Sequence, residues 1–95
     1  NSSLKIKNYK LDKNLRRLIK HNISLEHTEK EIELIELLYK KSFTTKKEIL
    51  AIIWKYASDA DTHTVETHIY RLRKKIKEIF SDEFFIKNEK KGYTI

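Results

Sequence analysis

The chain has no cysteine, no proline and no methionine, and only one glycine, Gly92, among its 95 residues. Without cysteine there is no disulfide framework and no thiolate zinc site, which fits an intracellular protein. There is no run of about 18 apolar residues to cross a bilayer, and no signal-peptide core. Glycine-rich phosphate loops, G-x-S-x-G and H-E-x-x-H are all missing. His63 and His68 are five positions apart, the wrong spacing for paired metal ligands on one helical face. Glu29 and Glu31 suit capping and surface roles rather than acid/base work. These absences lead to the expectation of no cofactor, no metal and no enzymatic activity.

What is present is charge. Lys and Arg number 21 against 14 Asp and Glu, a net charge of +7, with 39% hydrophobic and 37% charged residues. A chain of this length makes one domain, burying somewhat over about 60% of its unfolded surface. The basic balance raises the prospect of a polyanion partner through counterion release at phosphates. Ribosomal or membrane-surface proteins carry the same balance, so charge alone does not decide. Asn1, Ser2 and Ser3 read as linker or cloning remnant, and with no initiator Met the chain reads as a piece of something longer.

Residues 4–25 read as short strands of a small antiparallel meander. Leu4 and Ile6 alternate with lysines, as do Tyr9 and Leu11 with Lys10 and Asp12. Asp12, Lys13 and Asn14 carry turn chemistry, and His21 and Asn22 make another turn. A helix over 13–20, with Leu15, Leu18 and Ile19 apolar, is the alternative. At Thr28 the period changes. Thr28 and Glu31 have the T-x-x-E form of a capping box, opening a first helix over 28–41 that is apolar on more than one face. Thr45 and Glu48 repeat the box for a second helix over 45–56, with Phe43 as a hydrophobic staple on or near Ile49. The run YASDAD at 56–61 reads as a loop, with Asp61 or Thr62 as N-cap of a third helix over 62–80. Residues 84–95 read as a hairpin: Phe84, Phe85 and Ile86 strand-like, a charged turn from Lys87 to Gly92, and Tyr93 to Ile95 pairing back. A lone glycine there suggests a demand such as positive φ.

In the third helix Val65, Ile69, Leu72, Ile76 and Ile79 form one apolar stripe. The opposite front carries His63, Thr67, Tyr70, Arg71 and Lys74, with His68 and Lys75 flanking one side and Glu66 and Arg73 the other. A helix fits the DNA major groove, where such donors and cations meet phosphates and base edges. The same charges also suit a solvated face with i,i+4 pairs such as Lys74 with Glu78. Trp54 reads as a core plug, with an indole N–H contact to phosphate second to that. His27 reads as a surface or packing residue.

The stretch 64–76, TVETHIYRLRKKI, resembles the recognition-helix signature of the OmpR/PhoB-type winged helix-turn-helix domain. TEKEIELI at 28–35 resembles that family's first helix. Glu48, Ile49 and Leu50, followed by Ile53 and Trp54, resemble its second. Lys91, Gly92, Tyr93, Thr94 and Ile95 resemble its closing strand. The resemblance covers the chain from about Leu4 on. It implies an α+β fold: an N-terminal antiparallel four-stranded sheet, three helices and a C-terminal β-hairpin wing.

The function it implies is sequence-specific binding of double-stranded DNA. The chain would be the effector domain of a bacterial, cytoplasmic two-component response regulator in a phosphorelay, with a receiver domain phosphorylated on an Asp preceding residue 1. Carried over by position, the DNA-binding residues are His63, Thr64, Glu66, Thr67, His68, Tyr70, Arg71, Arg73 and Lys74, with Lys90 and Lys91 from the wing. The resemblance also implies head-to-tail dimers on direct repeats, and contact with RNA polymerase through the loop at 56–61.

This sequence departs from the family pattern at several positions. Lys90 stands where a second wing glycine is usual, His27 where Leu is usual, Lys55 follows Trp54 in place of glycine, and His63 and Tyr70 occupy positions where arginine is common. The alternative function is a protein-interaction winged helix whose basic face meets an acidic partner. RNA binding is less favoured, because no aromatic stacking platform on strands is apparent.

Overall fold

Four leucines, Leu4, Leu11, Leu18 and Leu25, stand opposite one another across four successive strands. The computed structural model describes residues 3–55 and 61–95. The leucine row crosses β1 (Ser3–Ile6), β2 (Tyr9–Asp12), β3 (Arg17–Lys20) and β4 (Ile23–Glu26), an antiparallel sheet in sequence order. Leu11 and Leu18 are fully buried, while Leu4 and Leu25 pack on the edge of the core. Period-2 alternation puts these leucines on the inner face and Lys5, Lys10 and Arg17 on the outer one.

The helix considered for 13–20 does not form. Asp12 Oδ1 accepts the Leu15 N–H at 3.0 Å, bending the chain, so β3 begins only at Arg17 and Leu15 is left 60% exposed. With so little glycine, left-handed turn positions fall to Lys7, Arg16 and His21.

Helix α1 (Glu29–Lys41) starts at a complete capping box. Thr28 Oγ1 accepts the Glu31 N–H at 3.2 Å, and Glu31 Oε1 accepts the Thr28 N–H at 2.9 Å. Ile32, Leu34, Ile35 and Leu38 are buried, so the helix runs through the middle of the core. Thr45 and Glu48 close a second box at the head of α2 (Lys46–Ile53). This helix is shorter than the 45–56 expected. It stops at Trp54, and Lys55 turns to positive φ, a conformation that breaks helical bonding. Just before it, Thr44 and Thr45 form a short strand, β5, that the sequence pattern does not mark.

Helix α3 (His63–Phe80) buries Val65, Ile69, Leu72, Ile76 and Phe80. The stripe therefore ends on Phe80, not Ile79, which is 44% exposed. A straight helix falls about 20° short of two full turns in seven residues, so four residues on from Ile76 face inward better than three. Phe80 and Phe85 both meet Tyr9 edge-on, with centroids 5.1 and 4.8 Å away, and Tyr9 donates to Asp82 Oδ2 at 2.7 Å. This aromatic cluster fixes the sheet against the far end of α3. Burial, together with the bond to Asp82, raises the Tyr9 hydroxyl above its ordinary pKa.

The C-terminal hairpin pairs β6 (Lys87–Glu89) with β7 (Gly92–Thr94), and β5 adds on the other side of β7 to make three strands. The expected strand at 84–86 and long turn after it are not seen. Phe85 and Ile86 are core residues outside any strand, Phe84 is 74% exposed, and the turn is Lys90 and Lys91 alone. Gly92 does not have positive φ; Lys91 does, at 62°. Gly92 is instead required by space, because its backbone lies against β5 and the Phe43 ring. Phe43 is thus placed beside Gly92. Among the described residues no helix is long and apolar enough to cross a membrane.

Candidate nucleic-acid interface

Burying the stripe from Val65 to Phe80 leaves the opposite side of α3 to solvent, and the wing turn exposes Lys90 and Lys91. The helix has Thr62 at its cap position, but the Thr62 side chain makes no capping bond. Asp61 Oδ1 does this work, accepting the His63 N–H at 2.9 Å. His63 is exposed, and its Nδ1 lies 3.8 Å from Glu66 Oε1.

The sequence-nominated residues divide into two groups. Tyr70 (68% exposed), Arg71 and Lys74 are exposed and have no intramolecular polar partner among the described residues. Thr64 and Thr67 are half-buried on the first turns of the same helix, and Lys90 and Lys91 are exposed at the wing turn.

The remaining nominated residues are engaged inside the domain. Glu66 Oε2 accepts from Lys46 Nζ at 2.9 Å, and this bond holds the Lys46 ammonium above its ordinary pKa. Arg73 Nη1 donates to Asn88 Oδ1 at 2.5 Å, joining α3 to β6. The His68 ring packs against Trp54 at a tilt of 53°, with centroids 4.7 Å apart. Trp54 itself is half-buried and packed on the core, so its principal role is to support α3 from below. The pair considered between Lys74 and Glu78 is not formed; Lys77 instead meets Glu83 at 3.5 Å.

Between α3 and the wing lies an open hollow of about 660 Å³, walled by Tyr70, Arg73 and Lys74 on one side and Tyr93 on the other. Burial raises the Tyr93 hydroxyl pKa. Behind the helix, Lys75 does not face outward with its basic neighbours. Its Nζ donates to Glu31 Oε1 at 2.9 Å, and the same oxygen lies 3.3 Å from His27 Nδ1. Burial alone would raise the Glu31 carboxyl, but bonds from His27, the Thr28 N–H and Lys75 outweigh it and hold the pKa at about 2. His27, expected at the surface or in packing, is buried.

Sequence reasoning missed Lys46 and Asn88 as parts of this surface. Both lie outside α3, and only tertiary packing brings them to it. The loop proposed for polymerase contact falls, except for Asp61, outside the described residues.

Comparisons with known proteins agree with this architecture. The family described as "Transcriptional regulatory protein, C terminal" matches residues 20–95. The chain is 31% identical over 96 residues to the transcriptional regulatory protein HprR of Escherichia coli (strain K12), covering 99% of this chain and 43% of that protein. It is 30% identical over 81 residues to the transcriptional regulatory protein SrrA of Staphylococcus aureus (strain NCTC 8325 / PS 47), covering 83% of this chain and 34% of that protein. The chain thus spans less than half the length of these relatives. The solved DNA-binding domain of E. coli CadC superposes with a TM-score of 0.83 at 19% identity, covering 100% of this chain and 92% of that one. That match extends over β1 and β2, which precede the family match. The chain belongs to the C-terminal domain family of transcriptional regulatory proteins, the OmpR/PhoB-type winged helix-turn-helix family.

Proposed function

We propose that this domain binds double-stranded DNA sequence-specifically, as the effector domain of a two-component response regulator that controls transcription. One observation carries the proposal: Tyr70, Arg71 and Lys74 stand exposed on one face of α3, without intramolecular polar partners among the described residues, and the wing, joined to α3 by the Arg73–Asn88 bond, exposes Lys90 and Lys91 at its turn. A helix face of unpartnered donors and cations fits the major groove, and a basic two-residue turn fits the adjoining minor groove.

Within that reading Arg71, Tyr70, Thr67 and Glu66 meet base edges. Lys74, His63, Thr64, Lys90 and Lys91 serve phosphates and sugars. His68 and Arg73 touch the backbone from the edge of the face while remaining tied to Trp54 and Asn88. Two copies bind head to tail on direct repeats. The loop at 56–61 is the proposed contact for RNA polymerase. A receiver domain, phosphorylated on an Asp, governs the whole in the bacterial cytoplasm.

The experiment is binding of Arg71→Ala to a selected duplex and to random duplex. The expected loss is about 1–3 kcal/mol on the selected duplex, with preference at one base position relaxed. Equal loss on both would reduce Arg71 to a phosphate contact, and no duplex preference in the wild type would sink the proposal.

A further inference from the structure

Lys46 opens α2, yet it touches three parts of the candidate interface. Its backbone N–H donates to the Lys91 carbonyl in the wing turn at 3.0 Å. Its ammonium donates to Glu66 Oε2 in α3 at 2.9 Å. The same ammonium lies 5.8 Å from the centre of the Tyr93 ring in β7, within cation–π reach. The preceding residue, Thr45, is paired with Gly92. Lys46 is therefore placed between the first turns of α3 and the wing.

The two oxygens of Glu66 differ. Oε2 is occupied by Lys46, whereas Oε1 lies 3.8 Å from His63 Nδ1, beyond hydrogen-bond distance. An untethered glutamate here would bring a mobile negative charge toward phosphates and lose rotamer entropy on engaging a base. A glutamate held by one oxygen offers the other at a fixed place, and in the major groove a carboxylate oxygen accepts from cytosine N4. We infer that Lys46 is a positioning residue for base recognition: it holds Glu66 so that Oε1 meets a cytosine amino group, and ties that turn of α3 to the wing. This rests on the DNA-binding reading given above.

The test uses the domain as it stands, with Lys46→Met, Lys46→Arg, Glu66→Gln and the Lys46→Met/Glu66→Gln double variant. Each is measured on a selected duplex and on random duplex, after its thermal transition has been recorded. Lys46→Met is expected to lose about tenfold on the selected duplex and under about twofold on random duplex, the size of one base contact. Lys46→Arg restores the preference, and in the Glu66→Gln background Lys46→Met has no further effect. Equal loss on both duplexes would make Lys46 a phosphate contact and overturn the inference, as would additive single effects. A wild type that prefers no sequence sinks the functional reading and this inference with it. A preference fully retained in Lys46→Met sinks the inference alone. In the free protein, the Lys46 ammonium, followed by NMR, should titrate higher in wild type than in Glu66→Gln; equal titration would break the Lys46–Glu66 tie whatever the DNA results.

Discussion

Gly92 lies directly against the Thr44 carbonyl oxygen, leaving no room for a side chain. A Cβ at Gly92 would collide with that oxygen and come within 2.9 Å of Thr45 Cα and 3.0 Å of Phe43 Cε1. Two of these neighbours are backbone atoms of β5, which pairs with the strand Gly92 opens, so neither yields without breaking the three-stranded sheet. Gly92→Ala should therefore destabilise the domain by about 1–3 kcal/mol, despite the entropy alanine removes from the unfolded chain. Denaturant unfolding reads this directly, and an unchanged midpoint would refute the steric account.

Ser81 makes the opposite case. It ends α3 in the left-handed conformation, φ 57° and ψ 32°, with its N–H bonded to the Lys77 carbonyl at 2.9 Å. Glycine adopts that conformation without the Cβ penalty. Ser81→Gly should raise stability by about 0.5–1 kcal/mol, the relieved strain less glycine's extra unfolded-state entropy. A lower urea midpoint would show that the serine side chain contributes something the backbone geometry does not reveal.

The acid limb of stability should reflect Glu31. Its folded pKa of about 2 lies below the ordinary value of 4.5, so its contribution is present above 4.5 and lost as pH falls toward 2. Allowing for solvent screening, that contribution is roughly 1–2 kcal/mol. Asp82 and Glu36 are also held below their ordinary values and steepen the same limb. Glu31→Gln should lower stability at neutral pH and flatten the curve between pH 4.5 and 2; a curve parallel to wild type would count against the His27–Glu31–Lys75 cluster.

Arg73 and Asn88 should behave as one unit. Their bond joins α3 to β6, so removing either partner breaks the same link. In a double-mutant cycle, Arg73→Ala and Asn88→Ala should be non-additive in DNA affinity by about 0.5–3 kcal/mol. Arg71→Ala combined with Asn88→Ala should be additive, since Arg71 has no intramolecular partner among the described residues. Additivity in the first pair would mean that Arg73 leaves Asn88 when DNA binds.

Local chemistry made much of the fold readable. The T-x-x-E boxes at Thr28 and Thr45 act over three residues, and both are formed as drawn. The period-2 leucines and the stripe on α3 are likewise local patterns. What was not legible depends on distant parts of the chain. Thr44 and Thr45 become a strand only because Tyr93 and Gly92 arrive beside them. The need for glycine at 92 arises from β5, not from its own φ, so no turn rule finds it. At the interface, Arg73 and Glu66 looked as free as Arg71, since the sequence does not reveal that Asn88 and Lys46 fold back onto them.

The face of α3 that carries Tyr70, Arg71 and Lys74 is proposed to read bases in duplex DNA. Selection of bound duplexes from a random pool tests it most directly, repeated with Arg71→Ala. Wild type should enrich one motif, in direct repeat, and the variant should show relaxed preference at one position of that motif. A pool that shows no enrichment over background, or the same motif at undiminished strength with Arg71→Ala, would contradict it.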